Sequence, residues 1–201
     1  MQKRKLVFDE VKRLYMSEPY SSLGRWMWHN HVQWVADKAK SLAEKYSADS
    51  EKVYCAALLH DLGDSQHERT YEHFVAWSED KAREILQSSG FNPDDIREIV
   101  DIIIKPHSCR PGSLPMTTEG KVLATADAMW HLQTSFFPMI SYKHRPETTS
   151  NYEEWQEWFA EKVERDFNTK IFFDDEKAEV TPDYKALKRV FSNNTLTSSE
   201  S

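Results

Sequence analysis

An apolar run, Ala56-Ala57-Leu58-Leu59, ends in an imidazole beside a carboxylate, His60-Asp61. Core packing does not call for that ending: a buried ionised Asp is costly on the scale of a domain's whole stability unless it is paired or bound to a metal. Two more ionisable groups interrupt apolar patterns elsewhere. His31 lies one turn before Val35 and three turns before Leu42, so it faces inward with them, and Asp127 falls inside KVLATADAMWHL. Alone, an inward His is commonly a hydrogen-bonded core residue, and a buried carboxylate is either a metal ligand or the partner of a buried base. The adjacent pair His60-Asp61 reads as a metal-binding pair, and for His31 and Asp127 both readings stay open on patterning alone. Imidazole nitrogens and carboxylate oxygens suit Fe, Mn, Co, Ni or Zn better than a pure Mg or Ca site. A divalent ion so held can lower the pKa of a bound water to about 7 and polarise a phosphoryl oxygen, which points to hydrolysis of a phosphate ester or anhydride.

These side chains need helices to carry them. Apolar positions from Leu6 to Tyr15 predict a leading helix over 2–16, broken by SEPYSSLG. Val32, Val35, Ala36, Ala39, Leu42 and Tyr46 predict a helix over 26–46 bearing His31. Ser47 or Asp49 caps the next one, apolar enough to be the central buried helix; Gly63 supplies its stop, and His60 and Asp61 occupy its last turn. The polar connection DSQHERT is expected to be exposed and to form one wall of the site. Thr70 caps a helix over 71–89, with His73 in the first turn and Gly90 past its end. Asn92-Pro93-Asp94-Asp95 opens another, whose stripe Ile96, Ile99, Val100, Ile103 continues to His107. Thr117 or Thr118 starts the helix of Asp127, with His131 one turn later on the same face. Ser150 with Glu153 resembles a capping box for a helix presenting Tyr152, Trp155, Phe159 and Val163, read as core. Thr181-Pro182-Asp183 is expected to start a last helix with Ala186, Leu187, Val190 and Phe191 inward, before a disordered polar tail over 192–201.

The 201 residues suit one domain over 1–191, with its core over about 26–132 and a helical extension over 150–191. Hydrophobic residues at 39%, charged residues at 29% and only 5 glycines favour an all-α bundle. A net charge of -7 argues against general nucleic-acid binding. No apolar run is long enough to span a membrane, and no signal sequence opens the chain, so a cytoplasmic protein without membrane partners is expected. Cys55 and Cys109 are too few for a disulfide framework and are expected to be free structural thiols. Composition leaves the oligomeric state open.

The run AALLHDLGD resembles the central signature of the HD-domain superfamily of metal-dependent phosphohydrolases, with His31 in HNHVQWVADKA before it and Asp127 in VLATADAMW after it. The likeness runs from about His31 to about Leu132 and implies the ligand set His31, His60, Asp61 and Asp127. Some members place two further histidines between the His-Asp pair and the final Asp to hold a second ion. His73 and His107 match by order; with a single ion they would contact substrate phosphate. Asp64 stands where some relatives carry an acid that helps activate water, which makes Asp61 and Asp64 the candidate catalytic acids. Arg25, Lys105 and Arg110 are candidate phosphate clamps and His131 a pocket-lining group, while His29 and His67 fit the family order less well. There is no HHE…GYP stretch and no HDxxED signature, so neither the cyclic-dinucleotide nor the stringent-response members are matched. The resemblance implies one or two divalent transition-metal ions and a small phosphorylated metabolite or nucleotide as substrate. The alternative it also carries is an HD-type di-iron oxygenase using the six-ligand arrangement. A non-catalytic binding module would need degraded ligands, and all four principal ones are present.

Overall fold

The structure, a computed structural model, describes residues 2–17, 22–67, 69, 72–143 and 152–191. The caps expected of Thr70 and Ser150 and the tail over 192–201 lie outside the described residues. The first helix, α1 (Gln2–Met16), buries Val7, Val11, Leu14 and Tyr15, the face its spacing predicts. The next begins earlier than expected: α2 (Ser22–Met27) passes through a wide π-turn, Trp28–Val32, into α3 (Gln33–Lys45). A π-turn bonds five residues on, adding one residue to the helix. The Trp130 indole N–H donates to the carbonyl of Asn30 within that turn.

In α4 (Ser50–Leu59), the Asp49 carboxylate accepts from the backbone N–H of Glu51 and Lys52 at 3.0 and 3.1 Å. The helix stops at Leu59, and a 3₁₀ turn follows over Leu62–Ser65. Gly63 is not the left-handed stop expected from sequence, since the positive-φ glycines are Gly90 and Gly112. Its role is a close approach: a Cβ there would stand 2.5 Å from both Phe74 Cζ and Ser78 Oγ of α5 (Phe74–Ser88). Gly90, with φ +85°, does end α5 as expected.

Asn92 caps α6 (Pro93–Arg97), which widens into a second π-turn, Glu98–Ile104. Thr117 caps α7 (Thr118–Gln133) through its hydroxyl, which accepts from Gly120 N–H at 3.2 Å. Every residue from Val122 to Leu132 is buried, so α7 is more enclosed than α4, the helix expected to be central. The short α8 (Phe136–Lys143) was not foreseen from sequence. It precedes α9 (Tyr152–Asn168) and α10 (Asp174–Phe191), which pack over α7. The last helix starts seven residues before the expected Thr181, and Pro182 sits inside it; the Thr181 hydroxyl donates to the Lys177 carbonyl at 2.7 Å. Ala186 and Val190, expected inward, are exposed. The fold is all-α: among the described residues the only β pairing is an isolated bridge between Arg110 and Ser113. Cys55 and Cys109 are buried free thiols, and no described helix is long and apolar enough to cross a membrane.

Candidate metal centre

Three segments converge where α3, α4 and α7 meet. His31 comes from the π-turn ahead of α3, His60 and Asp61 from the two positions after α4, and Asp127 from the middle of α7. His31 Nε2 lies 3.0 Å from His60 Nε2, 3.2 Å from Asp61 Oδ2 and 3.6 Å from Asp127 Oδ1. His60 Nε2 lies 3.5 Å from Asp61 Oδ2 and 3.6 Å from Asp127 Oδ1. Donors about 2.0–2.2 Å from one ion stand about 3.0–3.5 Å from one another, so this spacing fits a shared cation. A second observation agrees: Asp127 Oδ1 is buried without a hydrogen bond while three imidazole nitrogens face it, those of His31, His60 and, at 3.5 Å, His131. His31, His60 and Asp127 form one set compatible with a metal site, Asp61 lying beside its two imidazoles, and these nitrogen and oxygen donors suit a divalent transition metal.

The donors are oriented by groups behind them. His60 Nδ1 lies 2.7 Å from the Ala57 carbonyl, and a proton donated there leaves Nε2, the end that faces the cluster, with a free lone pair. Past the end of α4, the buried Tyr15 hydroxyl donates to the Asp61 carbonyl at 2.6 Å, fixing that turn of backbone to α1. Lys170 donates to Asp127 Oδ2, leaving Oδ1 for the cluster. Lys170 is itself tied to α7, since its carbonyl accepts from the Thr125 hydroxyl at 3.3 Å. Beside it, His131 Nδ1 stands 3.0 Å from Asp166 Oδ2 and 3.2 Å from Lys162 Nζ, and Lys162 donates to Asp166 at 2.7 Å.

Burial opposes ionisation of both cluster carboxylates, yet their neighbours win. Arg69, His60 and His31 hold Asp61 well below the usual carboxylate range, and His131, Lys170 and His60 do the same for Asp127. Burial lowers the pKa of His31, keeping its ring neutral as a ligand needs, although the Asp61 contact works the other way. For His60 burial is outweighed by Asp61 and Asp127, and its pKa rises. Burial pushes His107 and His131 down to about 4 and Lys162 down to about 8.

Beyond the four central groups, the structure brings His107 to the cluster: His60, Asp61 and His107 form a second set of converging ligand atoms, with the His60 and His107 rings 5.2 Å apart. His107 Nδ1 is set against the Ile104 carbonyl at 2.6 Å. His73 belongs to neither set and lies exposed at the N-terminal boundary of α5. Asp64 is buried, with both oxygens held by Arg69: Nε donates to Oδ1 at 2.9 Å and Nη2 to Oδ2. Arg25 is exposed on α2, Arg110 is exposed, and Lys105 is an exposed partner of Glu79 at 3.5 Å. His29 is exposed, and the His67 ring packs edge-on against Trp77, 4.6 Å between centroids.

Sequence reasoning missed Arg69, Lys162, Asp166 and Lys170. The last three carried a readable signal, because they lie three, seven and eleven residues after Phe159 and so prolong the buried face of α9 with charge. A family model described as HD domain matches residues 28–129, half of the chain. No curated protein and no solved structure matches it.

Proposed function

The chain belongs to the HD-domain family, and on that premise we propose that it is a metal-dependent phosphohydrolase. It hydrolyses a phosphate ester or anhydride of a small phosphorylated metabolite or nucleotide, acts in the cytoplasm, and uses residues 1–191 as one unit. The carrying observation is the convergence of His31 Nε2, His60 Nε2 and Asp127 Oδ1 within 3.0–3.6 Å of one another, with Asp61 Oδ2 3.2 and 3.5 Å from the two imidazoles, around a buried carboxylate oxygen that has no hydrogen bond.

In this reading His31, His60, Asp61 and Asp127 hold the ion. A divalent ion supplies charge that stabilises a developing phosphoryl negative charge and an acidified water as nucleophile. The protein contributes orientation. The Ala57 carbonyl fixes the coordinating nitrogen of His60, and Lys170 occupies the outer oxygen of Asp127. Enclosure of His31, His60 and Asp127, whose side chains are 1%, 0% and 3% exposed, limits solvent to the Asp61 side. His107, beside His60 and Asp61, is placed to contact either a second ion or the substrate.

Metal analysis of freshly purified protein, followed by a phosphatase and phosphodiesterase panel with the metal found, tests the reading. Hydrolysis should fall to background in His60→Ala and on chelation; activity indifferent to both would overturn it. The di-iron oxygenase alternative draws on six ligands, and His73 stands outside both converging sets. Substrate-dependent oxygen uptake by protein carrying two irons would restore it.

A further inference from the structure

We propose that Arg69 is the binding residue for the substrate's phosphoryl group and that Asp64 is the positioning residue that holds Arg69 in place. This rests on the phosphohydrolase reading and adds to it the means of substrate recognition.

The cluster is open on one side only among its four ligands. Asp61 is 16% exposed, against 3% or less for the other three, so a substrate reaches the centre past Asp61. Arg69 stands at that opening, with Nη2 3.1 Å from Asp61 Oδ2 and a side chain 58% exposed. The other cation on a cluster carboxylate, Lys170 on Asp127, is 4% exposed and lies on the closed side. An anion approaching Asp61, Asp64 and Asp127 meets three carboxylates, and Arg69 is the accessible positive charge among these contacts.

The guanidinium is also held in a fixed plane. Two of its nitrogens grip the two oxygens of Asp64, whose side chain is 4% exposed, and the Phe74 ring lies 5.8 Å from its central carbon. A guanidinium carries five N–H donors. Nε and Nη2 are engaged by Asp64 and Asp61, whereas Nη1 has no protein acceptor among the described residues. Nη1 thus keeps two donors for a phosphoryl oxygen, beside the carboxylate that ligates the ion. Long side chains rarely hold such a position without support, and Asp64 supplies it. With both oxygens on Arg69, Asp64 serves to anchor the clamp, in place of the proton transfer expected from sequence.

The test is calorimetric titration of inorganic phosphate into the protein as purified, with thermal melting alongside. Arg69→Ala takes the guanidinium away from both Asp61 and Asp64 and could fail to fold, so Arg69→Lys is the deciding variant: it keeps the charge opposite Asp64 and loses the planar fork. Phosphate should bind about tenfold to a hundredfold more weakly to Arg69→Lys, at a melting temperature close to the parent's. Asp64→Asn should weaken phosphate in the same direction by loosening the guanidinium. In hydrolysis assays Arg69→Lys should raise KM more than it lowers kcat. Parent protein that does not bind phosphate, or Arg69→Lys that binds it like the parent, overturns the clamp; Asp64→Asn that binds it like the parent overturns the anchoring role. Phosphate binding lost in Arg69→Lys with no hydrolysis of any panel substrate would leave the anion site standing and remove the hydrolase reading instead.

Discussion

The two sides of the ligand cluster are built differently. On the open side, orientation is mostly local: His107 leans on the carbonyl of Ile104 three residues back and Asp64 holds Arg69 five residues on, with Tyr15 of α1 adding a tertiary tie to the Asp61 carbonyl. On the closed side it is tertiary. Asp127 and His131 of α7 are fixed by Lys170, Asp166 and Lys162, which arrive from α9 and the residues just after it, beyond the matched span of 28–129. The family segment therefore contains the four candidate ligands, but two of the groups facing the cluster depend on charges the segment does not contain.

The largest effect of any single group should come from breaking the closed side. Lys170→Met leaves Asp127 buried without its countercharge, which should cost about 3–5 kcal/mol in chemical denaturation and weaken metal binding by about tenfold to a hundredfold. Added divalent ion should recover part of the lost stability, because it binds only the folded cluster. A variant as stable as the parent, with unchanged metal affinity, would erase the distinction between the two sides.

Acid should act on both sides next. His107 and His131 titrate at about 4 in the folded protein, chiefly because burial disfavours the charged ring, against an ordinary 6.5. A histidine with a lowered folded pKa stabilises the fold above its unfolded value, and that stability is lost as pH falls through the folded value. Metal-free protein should therefore lose about 3 kcal/mol for each of the two rings between pH 6.5 and pH 4, read by denaturant unfolding. His131→Asn should flatten that slope, and an unchanged slope would mean that this ring is not held neutral. The smallest of the three is Gly63→Ala on the open side, where the new methyl must displace Phe74 and Ser78, at about 1–3 kcal/mol by thermal melting.

His31, His60, Asp61 and Asp127 were legible as candidates because each is an ionisable group set against an apolar pattern, where burial is costly unless the group is paired or bound. The helices α1, α4 and α7 were legible through their stripes and through the caps Asp49 and Thr117. Lys162, Asp166 and Lys170 escaped because Trp155, Phe159 and Val163 mark the same face as core, and a long charged side chain on such a face ordinarily reaches solvent. Arg69 escaped for the opposite reason: it sits in a polar connection, where an arginine carries no periodic signal. The early start of α10 was hidden by Pro182, a residue that usually opens a helix and here lies within one.

The wide turn that carries His31 has a bearing on how such chains can vary. It holds one residue more than regular winding needs, and each residue of an α-helix advances the chain by about 100° around the axis. A deletion or insertion of a single amino acid between His31 and Gln33 would leave the packed stripe of α3 intact and swing His31, together with all of α2, away from its bearing. At this one place the spacing of the chain, rather than the kind of side chain it bears, decides whether a centre can assemble.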